Sequence, residues 1–154
     1  MIIECALLVT FTRAVVMIKS ETKIRVRYGE TDQMGYVYYG VYAQYYEVGR
    51  VEALRQLGFS YREIEEKGIL MPVVEFSVSY KKPARYDDEI TVVTVMREVP
   101  TGVRLPFEYE CRNAEGDLLN TGKVTLVCQE KNTGKMCRIP DWFLQAFDKI
   151  NNRD

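Results

Sequence analysis

Hydrophobic and polar positions alternate at two different periods along this chain, and the change of period divides it. In residues 23–28, KIRVRY, Ile24, Val26 and Tyr28 are set against charged neighbours, the two-residue repeat of a half-buried strand. Gly29 to Tyr36 reads as a loop, with two glycines and Asp32. From 38 to 57 the repeat lengthens. At about 100° per residue, Tyr42, Tyr45, Tyr46, Gly49, Ala53 and Leu57 fall on one stripe of a long helix. Val48 and Val51 lie on its far side, so the helix is expected to be covered on more than one face. Gly58 is placed to cap it. Ser60 and Glu63 form a capping box that opens a short helix to about Lys67, closed by Gly68.

After residue 71 the period stays at two. Val74, Phe76, Val78 and Tyr80 alternate with Glu75, Ser77 and Ser79 across 72–81, and 89–97 is rich in β-branched residues. In 103–112, Val103, Leu105, Phe107, Tyr109 and Cys111 face one way and Arg104, Glu108, Glu110 and Arg112 the other. Leu118, Val124, Leu126 and Cys128 repeat the pattern over 118–129. Turn residues at 83–88, 100–102, 113–117 and 132–134 separate the runs, which predicts an antiparallel meander. Pro106, inside a strand, predicts an edge position or a bulge. Pro140 and Asp141 open a last short helix to about 149. A single strand, a long helix and four further strands make an α+β domain, with one twisted antiparallel sheet against the helix. There is no linker, internal repeat or low-complexity tract.

Composition narrows the chemistry. The 154 residues include no histidine, which excludes Ser-His-Asp and Cys-His nucleophile pairs and any His-containing metal site. The four cysteines, Cys5, Cys111, Cys128 and Cys137, hold no C-x-x-C pair, which argues against structural zinc. Cys111 and Cys128 lie in strand patterns and read as buried free thiols of a reducing cytoplasm. A net charge of −1 gives no field that would favour nucleic acid. Residues 1–16 are apolar with Glu4 and Arg13, but the charge order is wrong for a secretory signal and Cys5–Thr12 is too short to span a bilayer. Met17 opens a second, more conventional start. The first 16 to 18 residues therefore read as an upstream extension, from a misassigned start or as an added strand or helix, followed by a single domain from 19 to 154.

The stretch Tyr28-Gly-Glu-Thr-Asp-Gln-Met-Gly-Tyr-Val-Tyr-Tyr-Gly-Val-Tyr42, with Tyr46-Glu-Val-Gly-Arg50 after it, resembles the signature of hotdog-fold acyl-CoA thioesterases. The similarity is to the 4-hydroxybenzoyl-CoA and YbgC-like branches. Tyr80-Lys-Lys-Pro-Ala-Arg-Tyr-Asp-Asp88 matches their connection between strands, and the likeness runs collinearly over about 22–130. The resemblance implies a five-stranded sheet wrapped around the long helix. It also implies pairing into a homodimer or homotetramer with sites shared between chains, an acyl-CoA or acyl-carrier substrate, and no cofactor.

Asp32 occupies the family's catalytic position in the loop before the helix, which implies a nucleophile or a general base. On the residues alone, an Asp in a Gly-rich loop reads as a turn or helix cap. Tyr39 stands where the YbgC-like branch has His and the hydroxybenzoyl branch has Tyr. Its implied role is a backbone N–H that polarises the thioester carbonyl at the start of the helix. Gly35, Gly40 and Tyr42 are then expected to shape the loop and the mouth of the site, while Tyr36 and Tyr38 read as core or dimer contacts. Glu47 is the rival carboxylate, since other hotdog thioesterases carry their acid on the long helix. It lies about 120° from the centre of the apolar stripe, and Arg50 three residues on is placed to pair with it. That pair reads as structural or as support for Asp32. Lys81, Lys82 and Arg85 cluster where the phosphates of CoA could be held, although lysines beside a turn are ordinarily just solvated. A dehydratase is disfavoured by the missing histidine. A non-catalytic acyl-CoA binding protein is the remaining alternative.

Overall fold

The computed structural model describes residues 18–151. The expected extension, residues 1–16 or 1–18, lies outside them but for Ile18, which belongs to the first strand, β1, Ile18–Arg25. The two-residue repeat therefore starts earlier than KIRVRY and stops sooner. Tyr28 is not part of the strand: it opens a tight turn, Tyr28–Glu30, and is 79% exposed.

The long helix, α1, runs Tyr42–Gln56 after a single 3-10 turn at Tyr39–Val41, four residues later than its apolar pattern begins. Every member of the expected stripe is buried; Tyr42, Tyr45, Tyr46 and Ala53 are at most 3% exposed. Val48 is exposed, so within one chain the helix is covered on one side. The Ser60–Glu63 capping box forms as expected and opens α2, Tyr61–Glu66, with Glu63 N–H donating to Ser60 Oγ at 3.2 Å.

Two residues, Ile69–Leu70, form β2, followed by β3 (Val73–Tyr80), β4 (Glu89–Met96), β5 (Arg104–Arg112) and β6 (Leu118–Val127). Gln129–Glu130, β7, pairs with β2 in a small separate ladder, and α3 spans Asp141–Asn151. The main sheet is antiparallel with order β1-β4-β5-β6-β3. This corrects the expected meander. Only β4-β5-β6 follow one another; β3 crosses to the far edge beside β6, and β1 takes the place beside β4. Wrapping a sheet around α1 requires this, because the strand leaving the helix and the strand entering it end on opposite edges.

Pro106 also differs from expectation. It lies on an interior strand, paired with Thr125, and the register shift between β5 and β6 falls at Cys111/Arg112 instead, where Leu119 of β6 is the extra residue. The β4 ladder ends at Glu108, so the missing N–H of Pro106 falls where β5 has already outrun its neighbour.

Leu105, Phe107, Tyr109 and Cys111 of β5 face α1 and are at most 2% exposed. Tyr46 crosses from the helix to stack on Tyr109, with ring centroids 4.3 Å apart and planes within 7°. Its ring also covers Gly122 on β6, where even a methyl group would overlap it. The Tyr46 hydroxyl donates to Asn120 Oδ1 at 2.5 Å. At the far end of the helix, α3 packs Phe143 flat on Phe59, 5.3 Å away. Cys111 and Cys128 are buried free thiols as expected; burial pushes them up to about 12 and about 11.

Candidate functional site

The loop between β1 and α1 is folded back on itself. Thr31 bridges Val37, Asp32 N–H donates to Tyr36 O at 2.8 Å, and Val37 N–H reaches Ala84 O at 2.8 Å. Gly35, at φ +76°, makes the turn that a residue with a side chain would resist, and its N–H donates to Asp32 O at 2.9 Å. One carboxylate oxygen of Asp32 belongs to this turn: Oδ1 accepts from Met34 N–H at 2.9 Å and Tyr36 N–H at 3.4 Å. The other, Oδ2, has no hydrogen-bond partner among the described residues. The turn-capping reading and the chemical reading of Asp32 are thus compatible, one oxygen to each.

Beside this loop lies a cavity of about 270 Å³ lined by Asp32, Met34, Tyr36, Val37, Tyr39, Tyr42, Tyr80, Lys81, Lys82 and Pro83. Of the residues expected at the site, it brings together Asp32, Tyr39, Tyr42, Lys81 and Lys82. Asp32 is the one carboxylate among the lining residues. Burial pushes the Tyr42 and Tyr80 phenols up from their ordinary value, so they remain neutral hydroxyls. A larger groove, about 1040 Å³, crosses the sheet face away from α1 between Lys19, Glu21, Arg97, Glu108, Arg112 and Lys123. It is a mixed-charge surface distant from the Asp32 loop, and the smaller aromatic cavity is the chemically credible one.

Tyr39 opens the 3-10 turn before α1. Its N–H has no acceptor among the described residues, as expected of the first amide of a helical turn. Its carbonyl accepts the Tyr80 hydroxyl at 2.9 Å, which fixes the backbone against β3. Gly40 lies beneath the Tyr38 ring, which a methyl group at that position would approach to 2.9 Å. Lys81 Nζ donates to Ser79 Oγ at 3.1 Å, whereas Lys82 Nζ is paired with Asp117 at 3.0 Å. Arg85 does not line the cavity. Its guanidinium lies 4.9 Å above the Tyr36 ring and braces that wall from outside.

Glu47 is exposed on α1 and outside the cavity lining. The expected pair with Arg50 is not formed. Arg50 turns inward, 5% exposed, and donates to Tyr61 Oη at 2.6 Å and Tyr109 Oη at 3.3 Å. Two phenols, half-buried Tyr61 and buried Tyr109, hold the cation that spacing alone would have assigned to Glu47.

Glu30 lies inside the stretch that carries the resemblance, but the sequence reading gave it no role. Its carboxylate, 8% exposed, accepts from the Arg27 N–H and guanidinium and from the Tyr45 hydroxyl. Burial pushes the Glu30 carboxyl up, but the hydrogen bonds from Arg27 and Tyr45 outweigh it and hold the pKa below its ordinary value. A loop residue has no period to betray burial.

The sequence profile of the thioesterase-like superfamily matches residues 26–147, from the end of β1 into α3. The chain belongs to the thioesterase-like superfamily. Within it, YneP of Bacillus subtilis (strain 168) is 38% identical over 134 residues, covering 84% of this chain and 96% of that protein. The acyl-CoA thioester hydrolase YbgC of Escherichia coli is 33% identical over 124 residues, 80% of this chain and 92% of its own. Among solved structures, a DHNA-CoA thioesterase of Staphylococcus aureus superposes with a TM-score of 0.79 at 38% identity, covering 86% of this chain and 91% of that one. The five-stranded sheet around one long helix is the hotdog fold of this superfamily. No helix among the described residues is long and apolar enough to cross a membrane.

Proposed function

We propose that this thioesterase-like protein hydrolyses the thioester of an acyl-CoA, with Asp32 as the working carboxylate. The observation that carries the reading is the free Oδ2 of the one carboxylate lining the aromatic cavity. A carboxylate oxygen held by a rigid turn either attacks the thioester carbon, expelling the CoA thiolate and leaving a mixed anhydride for water to cleave, or takes the proton from a water that attacks and expels the thiolate. The Tyr39 N–H is then the donor to the carbonyl oxygen, supported by the partial positive charge at the start of α1. Tyrosine rings at 36, 39, 42 and 80 form the walls around the acyl group, in a space near the small end of ligand cavities. Lys81 faces the phosphates of CoA with no carboxylate partner of its own among the described residues. The names of the relatives support the substrate class, and two chains paired through their sheets complete the site.

Asp32→Asn keeps the size of the side chain and removes the charge. Turnover of acetyl-, butyryl-, octanoyl- and benzoyl-CoA, followed by thiol release, should show kcat reduced at least about a hundredfold with KM little changed. Glu47→Gln should cost clearly less. An active Asp32→Asn beside a dead, folded Glu47→Gln would move the chemistry onto the helix. A wild type that binds these thioesters but turns none over would make the protein an acyl-CoA sensor.

A further inference from the structure

We propose that Glu30 is a positioning residue that sets Asp32 and the Tyr39 amide in register with each other; the proposal rests on the reading of Asp32 given above. Both carboxylate oxygens of Glu30 are engaged. Oε2 accepts from Arg27 N–H at 2.8 Å and from the Tyr45 hydroxyl at 2.7 Å, and Oε1 accepts from Arg27 Nε at 2.8 Å and Nη2 at 2.7 Å. Arg27 continues the line of β1, and Tyr45 is a buried residue of α1. One side chain therefore joins the end of the strand to the helix, directly at the base of the loop.

The backbone of the same residue closes that loop. Glu30 N–H donates to Arg27 O at 3.1 Å, and Glu30 O accepts Tyr38 N–H at 2.9 Å. Asp32 follows two residues after Glu30, and Tyr39 follows Tyr38. The two groups assigned to the chemistry thus leave from opposite sides of one fixed point, with the Thr31–Val37 bridge between them. A loop of this length closes through its backbone alone, and burying a carboxylate costs solvation that an apolar side chain would not. What the ion network adds is a single geometry, and misplacement by about 1 Å can cost about a hundredfold in rate.

Glu30→Gln preserves volume but turns an acceptor into a donor facing Arg27 or Tyr45. Its kinetics are measured on whichever of butyryl-, octanoyl- and benzoyl-CoA the wild type turns over fastest. We expect kcat per folded molecule to fall about ten- to a hundredfold while KM stays within about twofold. In an Asp32→Asn background the same change should cost clearly less than in the wild type, because only the Tyr39 amide is then left for Glu30 to position. A lowered melting temperature with unchanged kcat would make Glu30 a purely structural residue and overturn the proposal. So would a full additional loss in the double variant. If Glu30→Gln does not fold, Tyr45→Phe decides, since it removes one donor and leaves the Arg27 contacts. Several-fold lower kcat with a wild-type circular dichroism spectrum supports the proposal, and wild-type kcat refutes it. A dead Asp32→Asn beside a fully active Glu30→Gln overturns only the role of Glu30, whereas an active Asp32→Asn overturns both.

Discussion

The central sheet has two edges, and the chain treats them in opposite ways. Along β1, Lys19, Glu21, Lys23 and Arg25 project to solvent, with Lys23 and Arg25 both bonded to Glu89 on β4 at 2.8 Å and 3.5 Å. Along β3, Val73, Val74, Phe76 and Tyr80 are each between 46% and 49% exposed. Each strand has only one strand neighbour among the described residues. Lysines along an edge oppose the addition of another strand, whereas an apolar edge offers a template for one. β1 is finished within a single chain. β3 presents a surface suited to cover by a second chain, and its last residue, Tyr80, walls the cavity and holds the Tyr39 carbonyl. The exposed edge and the candidate site are therefore one region, as the proposed pairing of two chains around the site requires.

The strongest way to break this contrast is to make β3 resemble β1. Phe76→Lys places a charge in the middle of the apolar edge. Light scattering at micromolar concentration should show the mass fall to that of one chain, with turnover falling alongside it. A variant that keeps the wild-type mass and activity would remove β3 as the joint. A smaller effect is expected from the reverse experiment. Replacing Lys19, Glu21 and Lys23 together by valine creates a second apolar edge, and the particle mass should grow beyond that of the wild type at the same concentration. Unchanged mass would mean that these charges are not what keeps β1 unpaired.

The smallest effect concerns a single charge on β1. The Lys23 ammonium, by hydrogen bond and by charge, holds the Glu89 carboxyl below its ordinary value. A carboxylate lowered in the folded state contributes stability above the ordinary Glu range, near about 4.3, and loses it as pH falls through the lowered value. Lys23→Met should therefore shift a urea midpoint slightly downward at pH 7, with the difference shrinking toward pH 3. A difference that widens in acid would reverse the assignment.

What could be read from the sequence was mostly local. The α1 stripe, the Ser60–Glu63 box and the faces of β5 follow from spacing over a few residues, and each is present. Strand neighbours are not local. Nothing in 72–81 specifies β6 as its partner; closure of the sheet around α1 does that. The alternation of β3 was legible, but not that one chain leaves it exposed, since period two reports a face and says nothing of what lies against it. The resemblance marked the Asp32 position, and the structure adds the cavity and the free oxygen beside it. Arg50 shows the opposite limit. A spacing of three permits a bond to Glu47, yet the Tyr61 and Tyr109 phenols offer the guanidinium acceptors on the other side. Glu30 stood in the family-like stretch, but its contacts needed three separate segments, the end of β1, the loop and α1, to come together.

The depth of the cysteines bears on how such a protein is assayed. The proposed reaction releases a thiol, and the usual dyes for that product attack any accessible thiolate. Cys111 and Cys128, sealed under the sheet and held as protonated thiols, stay silent to the dye while the fold is intact. Partly exposed Cys137 contributes to the resting signal. On heating, the two silent thiols emerge together with loss of the core, and their colour would be mistaken for product. Without substrate, the same dye becomes a clock for the opening of the core, needing no label beyond the protein's own sulfur.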